Sequence, residues 1–531
     1  MFPKLPSDLS NEELLHHVYQ QQGLIEQQMK QNQEQQEQIN KLLAQVAYMS
    51  RQLFGRKSEK LACLDPNQLS LFDEPSTPLS QVTEAEITQE LATLSTSSQA
   101  KRTPRKRSSL DNLPVVQEVI EPQGIDKKKY RRIGEEVTRV LEFKPGELYV
   151  REIIRPKYGL IDSNALFSEH EKGIQIAPMP ALPIPKGLAG ASMLAEILLL
   201  KYEYHMPFYR QAKQFKHLGM YIAQSTMNDW YKACGELLYP LYGLLKRQIL
   251  SSNYIQVDET TLPVINKERK VAAKEYLWVT RDPIHKQVFF HYDDGSRSRQ
   301  ALVHMLKGYK GYLQSDGYNA YDLYEEDESI HLVACLAHIR RMFEKSLDNH
   351  REQASYALAE IQKLYRIERS ADKEDLSDAA RYALRLKLSK PILDNLEQWL
   401  EQTYNTVLPK SLLGKAIKYT YGLWPRMKTF LAEGFLRIDN NQCENAIRPI
   451  AISRKNFLFC GNHDSAEHTA VICSFLSSCK ELQVNPRVWL QDVLSRLPEL
   501  GKDADAEKLK ELLPLQWSRS HPEHIQESSK S

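Results

Sequence analysis

The sequence predicts a multidomain α+β protein: an N-terminal coiled coil, a helix-turn-helix region, and an α/β domain split by a helical insertion. Three observations predict it. Apolar residues repeat every seven through the first sixty positions, β-rich runs follow one another closely between 254 and 334, and a long polar helical stretch separates those runs from the last helices. At 531 residues the chain has room for two to four domains. Its 42% hydrophobic and 26% charged content excludes a wholly disordered chain. No apolar run approaches the roughly 18 residues of a membrane span, and the best candidate, "MLAEILLL", is short and carries Glu196. The first ten residues lack an apolar signal core, so a cytoplasmic protein without a membrane partner is expected. Net charge is only +2, so any nucleic-acid surface must arise from local clustering. The seven cysteines include no C-x-x-C pair, which argues against a disulfide frame and a cysteine zinc site.

Residues 1–60 carry the heptads. Val18, Ile25, Asn32, Ile39, Val46 and Leu53 fall at one core position, and Leu14, Gln21, Gln28, Gln35, Leu42 and Met49 at the other. β-branched residues with one Asn at the first position suit a parallel dimer, weakened by three glutamines. A homodimer or higher oligomer through this coil is therefore expected. Residues 61–110 form a linker rich in Ser, Thr, Pro and Gln, expected to be disordered. It ends in "KRTPRKR", whose Arg105, Lys106 and Arg107 can lie against DNA phosphates.

Residues 111–185 contain the strand-like pieces "VVQEVIE", "TRVLEFKP" and "LYVREIIRPKY", closed by the boundary "APMPALPIPKGLAG". Residues 186–250 turn helical. Within them, 207–234 has a helix-turn-helix shape: Pro207 starts a helix, Gly219 supplies the turn, and Ser225 caps a second helix with Asp229 in its first turn. Thr226, Asn228 and Lys232 of that second helix are the candidate DNA contacts.

In residues 251–343 the period changes. "YIQVDETTLPV", "EYLWVTRD" and "KQVFFHYDD" read as three antiparallel strands. "SRQALVHMLK" is a helix, "GYLQSDGY" a fourth strand, and "IHLVACLAHIRRMF" a fifth strand that becomes a helix. This is the strand order of a ribonuclease H-like domain. Residues 344–430 are a helical insertion, 431–460 return to the domain with the helix "NNQCENAIRPIAISRK", 461–502 are helical, and 503–531 are a charged tail expected to be flexible.

Two acids, Asp258 and Glu259, interrupt the first of these strands, and Asp316 ends the fourth. A buried acid needs a partner, a metal or a shifted pKa. In the expected sheet the first and fourth strands are neighbours, so Asp258 and Asp316 meet. A third acid from a late helix would complete a Mg²⁺ or Mn²⁺ site, with Glu433, Asp439 and Glu444 as candidates. Two such ions suit phosphodiester cleavage and strand transfer. On a helix Asn440, Glu444 and Arg448 share a face. Arg448, Arg454 and Lys455 are candidate phosphate contacts, and His338 and Arg341 could approach the site. Cys335 and Cys443 read as packing residues.

"VDETTLPV", "GYLQSDGYNAY", "CLAHIRRMFEKS", "NNQCENAIRPIAISRKNFLFCG" and "VNPRVWLQDVLSRLPEL", in that order, together resemble the insertion sequence 66 family of transposases, as does "RQLFGRKSEK" near the N-terminus. The resemblance implies a DDE-type enzyme that cuts DNA at the ends of a mobile element and joins the freed 3′-OH to target DNA. It implies the triad Asp258, Asp316 and Glu444, two divalent ions, a bacterial nucleoid setting, and accessory proteins of the same element. One departure stands out: family members often carry a cysteine-rich zinc module, yet no cysteine lies between Cys63 and Cys234, and His170 alone cannot hold zinc. No zinc is expected here. The alternative is a DNA-binding regulator, or a catalytically inactive copy that binds element ends.

Overall fold

A computed structural model describes residues 113–124, 130–144, 146–160, 174–266, 271–501 and 504–525. The expected coil, the linker with Arg105, Lys106 and Arg107, and His170 lie outside the described residues.

The first sheet contains β1 (Val115–Val119), β2 (Tyr130–Lys144), β3 (Glu147–Leu160) and β4 (Ile174–Ile176). β2 and β3 form a long antiparallel hairpin; β1 runs parallel to β3, and β4 pairs its far end. At its turn end Leu141, Phe143, Leu148 and Val150 join the main core, and Val140 and Ile153 pack with Leu182 in a small cluster of their own. Three helices follow: α1 (Ala191–Tyr202), α2 (Phe208–His217) and α3 (Gln224–Leu250). α1 is apolar nearly all round and is buried accordingly. Gly219 turns the chain after α2 at φ +94°, a conformation that a side chain would strain.

The second sheet has the order β7-β6-β5-β8-β9. Its strands are β5 (Tyr254–Asn266), β6 (Val271–Asp282), β7 (Gln287–His291), β8 (Gly311–Ser315) and β9 (Ile330–Ala334). β5, β6 and β7 are antiparallel neighbours, while β8 and β9 run parallel to β5. α4 (Arg299–Met305) links β7 to β8, and α5 (Leu336–Glu344) follows β9. The helices α6 (Arg351–Lys373), α7 (Asp378–Leu384), α8 (Lys390–Tyr404), α9 (Leu412–Gly422) and α10 (Trp424–Lys428) come next. They build a second core with β9 and α5 around Ile339, Phe343, Leu364, Leu396, Trp424 and Phe430. The chain then returns as α11 (Asn441–Ser453), α12 (His463–Glu481) and α13 (Pro486–Leu500).

α12 covers the free edge of β7. Ser478 Oγ accepts from Val288 N at 3.0 Å and Ser474 Oγ from Phe290 N at 2.8 Å. The helix thereby satisfies donors that an open edge would present to solvent or to another chain.

Two expectations need correction. The tail after residue 503 is folded as far as residue 525: α14 (Ala506–Lys510) and α15 (Pro514–Ser520) follow, and Leu512, Leu513 and Trp517 are buried. Charge dominated the reading, yet these three side chains pack into the main core, and Trp517 Nε1 donates to Asp492 at 2.8 Å. Ser225 does not cap α3. The cap position is Ala223, and no acid lies in the first turn, so Asp229 sits one turn further in. The helix starts early because Met227, Trp230, Tyr231 and Cys234 form one buried stripe, which outweighs the cap preference.

Candidate active site

β5 and β8 pair in parallel with Tyr254 opposite Tyr312, Ile255 opposite Leu313 and Gln256 opposite Gln314. The offset is 58 residues throughout, the same as between Asp258 and Asp316 (316 − 258). The register therefore carries Asp316, one residue past the end of β8, alongside Asp258. Each carboxylate has only a local backbone donor: Glu259 N to Asp258 Oδ1 at 2.8 Å, and Tyr318 N to Asp316 Oδ1 at 2.9 Å. Among the described residues neither is ion-paired with a basic side chain.

Glu444 comes from the first turn of α11. A buried polar network fastens the chain that delivers it. Gln256 Nε2 donates to Gln314 Oε1 at 2.7 Å and to the Asp439 carbonyl at 3.0 Å. Gln314 Nε2 donates to the Arg437 carbonyl at 2.8 Å, and Arg437 N to Tyr254 Oη at 3.2 Å. Two glutamines inside the sheet thus grip the strand-like segment ahead of α11. A second clamp lies behind it: Arg385, fully buried, pairs with Glu368 through Nε at 2.8 Å and Nη2 at 2.7 Å. Its remaining donors reach the carbonyls of Phe430, Glu433 and Leu436 at 2.7–2.9 Å.

Electrostatics mark the cluster as a site short of positive charge. Burial pushes the Asp258 carboxyl well above its usual range, and the charges of Glu259, Asp316 and Glu444 push it further. Burial lifts Glu444 to about 7, opposed by Arg341 and aided by Asp439 and Asp316. Arg341 Nη2 lies 3.8 Å from Glu444 and His338 Nε2 3.6 Å, too far for good hydrogen bonds. Glu444 Oε1 is buried with no hydrogen-bond partner.

The other acids have occupations of their own. Asp439 is buried and accepts from Tyr365, from Asn441 N at 3.2 Å and from Asn441 Nδ2 at 3.0 Å. Glu433 is exposed. Glu259 is buried against Arg297, whose Nε donates to it at 2.9 Å. Cys335, His338 and Glu444 also converge within 4.8 Å. Burial holds the Cys335 thiol well above its usual pKa, and its sulfur accepts from Asn440 N at 3.5 Å, so it packs rather than ligates.

The expected DNA contacts scatter. Asn440 is the cap of α11 rather than part of its face. Arg448 sits one turn beyond Glu444 with a buried, unpartnered Nη2. Arg454 and Lys455 lie past the end of α11, and Arg454 folds back to donate to the Thr261 carbonyl at 3.0 Å. The expected basic helix face is therefore reduced to Arg448, because the helix ends at Ser453. Asn228 and Lys232 are exposed on α3 and Thr226 is half-buried; Lys232 pairs with Glu236 at 3.7 Å.

Residues 186–468, which hold all three carboxylates, match the family described as "Transposase IS66 family". The chain belongs to the IS66 transposase family. Residues 41–117 match "Transposase C of IS166 homeodomain", and residues 474–515 the "IS66 C-terminal element". Two similar chains come from Sinorhizobium fredii (strain NBRC 101917 / NGR234). "Uncharacterized protein y4jD" is 30% identical over 90% of this chain and 94% of its own length; "Uncharacterized protein y4hP" is 28% identical over 90% and 88%. An IS66 transposase acts on the DNA of a mobile element. The described residues include no helix long and apolar enough to cross a membrane. Sequence reasoning missed Gln256, Gln314, Arg385 and Arg297. The two glutamines did leave a trace, as amides in the middle of strands otherwise fit for burial.

Proposed function

We propose that this IS66 transposase is a DDE-type enzyme with a ribonuclease H-like domain. In this reading Asp258, Asp316 and Glu444 cut DNA at the element's ends and direct strand transfer. The observation that carries it is the shared 58-residue offset, which aligns two unpaired carboxylates on adjacent parallel strands.

The donor set fits divalent ions. All three ligands are hard oxygens, one Glu444 oxygen is an orphan, and burial together with its acidic neighbours holds Asp258 above its normal pKa. Asp258, Asp316 and Glu444 would hold Mg²⁺ or Mn²⁺, two ions in the full site. When bound, such ions supply Lewis acidity to the attacking and leaving oxygens of the phosphodiester. The chain's own part is to hold three carboxylates in fixed positions. The Gln256–Gln314 pair and Arg385 fix the third against the first two, so little reorganisation is left for the reaction. Arg448 and Lys455 would contact backbone phosphates, with Arg454 orienting from Thr261. Thr226, Asn228 and Lys232 would contact the element's ends, and Arg105, Lys106 and Arg107 the flanking phosphates. Two ends must be held together, which the N-terminal heptads would serve by pairing chains, with accessory proteins of the element as further partners. The acting units would be residues 251–343 and 431–460, separated by 344–430.

The test is cleavage of a labelled duplex carrying the element's own terminal sequence, in Mg²⁺ or Mn²⁺. Nicking by the native chain, lost in Asp258→Ala, Asp316→Ala and Glu444→Ala with end binding retained, is the expected result. Activity surviving in Glu444→Ala alone would exclude it as the third ligand. Tight end binding without cleavage by the native chain would favour a binding-only protein.

A further inference from the structure

Arg297 lies beside the carboxylate cluster on the loop between β7 and α4, and nothing in the cleavage reading uses it. The loop is fastened from both sides. Tyr276 N donates to the Gly295 carbonyl at 3.1 Å, and Trp278 Nε1 to the Ser296 carbonyl at 2.9 Å. Tyr318, two residues past Asp316, donates its hydroxyl to the Arg297 carbonyl at 3.1 Å, and Arg299 Nη2 reaches the Asn319 carbonyl at 3.2 Å. Gly295 has φ +74°, and a Cβ there would meet the Glu275 side chain at 2.5 Å, so the turn needs glycine.

The guanidinium is oriented as firmly as its loop. Nε and Nη2 both donate to Glu259 Oε1, on a side chain only 4% exposed. The cation stacks on Tyr318, 4.0 Å from the ring centroid, with Tyr276 at 5.2 Å. Nη1, with its two N–H groups, has no hydrogen-bond partner among the described residues. The Arg297 side chain is 38% exposed, so the group is within reach of a ligand from solvent. A bystander salt bridge would not need a pinned loop, a stacked ring and a buried carboxylate to orient one side chain.

We propose that Arg297 binds a backbone phosphate of the DNA strand next to the scissile bond, through its free Nη1 edge. Glu259 is the buttress that sets the guanidinium plane, and Tyr318 links that plane to the Asp316 loop. Phosphate is the ligand class because the free group is a fixed, permanently charged donor pair beside the cleavage carboxylates. A base edge is disfavoured because Nε and Nη2 are spent on Glu259, which leaves no two-nitrogen fork to read one. This inference rests on the assignment of Asp258, Asp316 and Glu444 to cleavage.

The experiment uses the full chain and a set of terminal-sequence duplexes, each with one neutral methylphosphonate near the expected cut. Binding is read by fluorescence anisotropy in Ca²⁺, and cleavage separately in Mn²⁺. One substituted position should weaken binding to the native chain by about 10-fold or more. The same substitution should leave Arg297→Gln unaffected, and Glu259→Gln should lie between the two. Native-like melting curves for both variants would exclude misfolding, and Arg297→Lys should recover part of the binding without the sharp positional preference. Native and Arg297→Gln chains with identical interference profiles would overturn the proposal. Loss of interference at every position in Arg297→Gln would also overturn it, since that marks a structural role. A native chain that shows the interference but never cleaves would overturn the cleavage reading and leave the phosphate contact standing.

Discussion

The two sheets of this transposase both carry acids in the middle of strands, and treat them in opposite ways. In the β2–β3 hairpin two mid-strand acids face a base across the ladder: Glu136 opposite Arg155, and Glu152 opposite Arg139. Their side chains meet at 2.9 Å in both cases. In the second sheet Asp258 stands opposite Val279 and Glu259 opposite Trp278. Glu259 finds Arg297 from a loop, while Asp258 is left with other carboxylates for neighbours. What the next strand offers an acid thus decides whether it is paired within the sheet or left without a counter-charge. The first sheet pairs charges from within, whereas the second gathers carboxylates whose mutual repulsion and burial raise their pKa values, a deficit that a proton or a cation relieves.

The sharpest way to break the contrast is to remove one charge from each sheet. Asp258→Asn should lower metal-dependent cleavage on the order of 10³-fold, while raising the melting temperature of the protein in EDTA, because a repelled, buried charge is gone. A lower melting temperature in EDTA would mean that Asp258 is paired after all. Next in size is a buried acid that does have partners. Arg385→Leu leaves Glu368 with Arg381 alone, at 3.0 Å, and orphans the carbonyls of Phe430, Glu433 and Leu436; it should cost about 3 kcal/mol in urea unfolding, an effect that an exposed arginine would not give.

Two smaller effects follow. Burial lifts Glu444 to about 7, from the usual 4.5 of a glutamate. The folded protein therefore holds that proton over a range where the unfolded chain has released it. Stability in EDTA should fall as pH rises from about 4.5 to 7 and then level off. Mg²⁺ should add most stability at the upper end of that window; a flat pH profile in thermal melts would contradict the assignment. The smallest change belongs to the hairpin. Arg139→Gln opens a half-exposed pair and should cost at most about 1 kcal/mol in urea unfolding, with the opposite sign to Asp258→Asn.

The order of strands and the positions of Asp258 and Asp316 were legible because β-rich runs and their breaks are local. The third acid was not legible from pattern alone: Glu433, Asp439 and Glu444 look alike in sequence, and they differ in that Asp439 is consumed by Tyr365 and Asn441 while Glu444 keeps an orphan oxygen. Arg297 and Arg385 were invisible for the same reason. Their partners lie 38 and 17 or more residues away, set by folding rather than by spacing. The tail misled through its charge, since three buried side chains are enough to dock a segment that is otherwise polar.

The helical block between β9 and α11 has a consequence in time. A growing chain completes Asp316 long before Glu444, 128 residues later (444 − 316). At ordinary synthesis rates that gap lasts roughly 6–25 s. Until then the nascent protein holds two of the three carboxylates of the proposed site. If Glu444 is the third ligand, as proposed, a product truncated within the block would lack cutting activity, which would arise only once the return segment has folded onto the two glutamines.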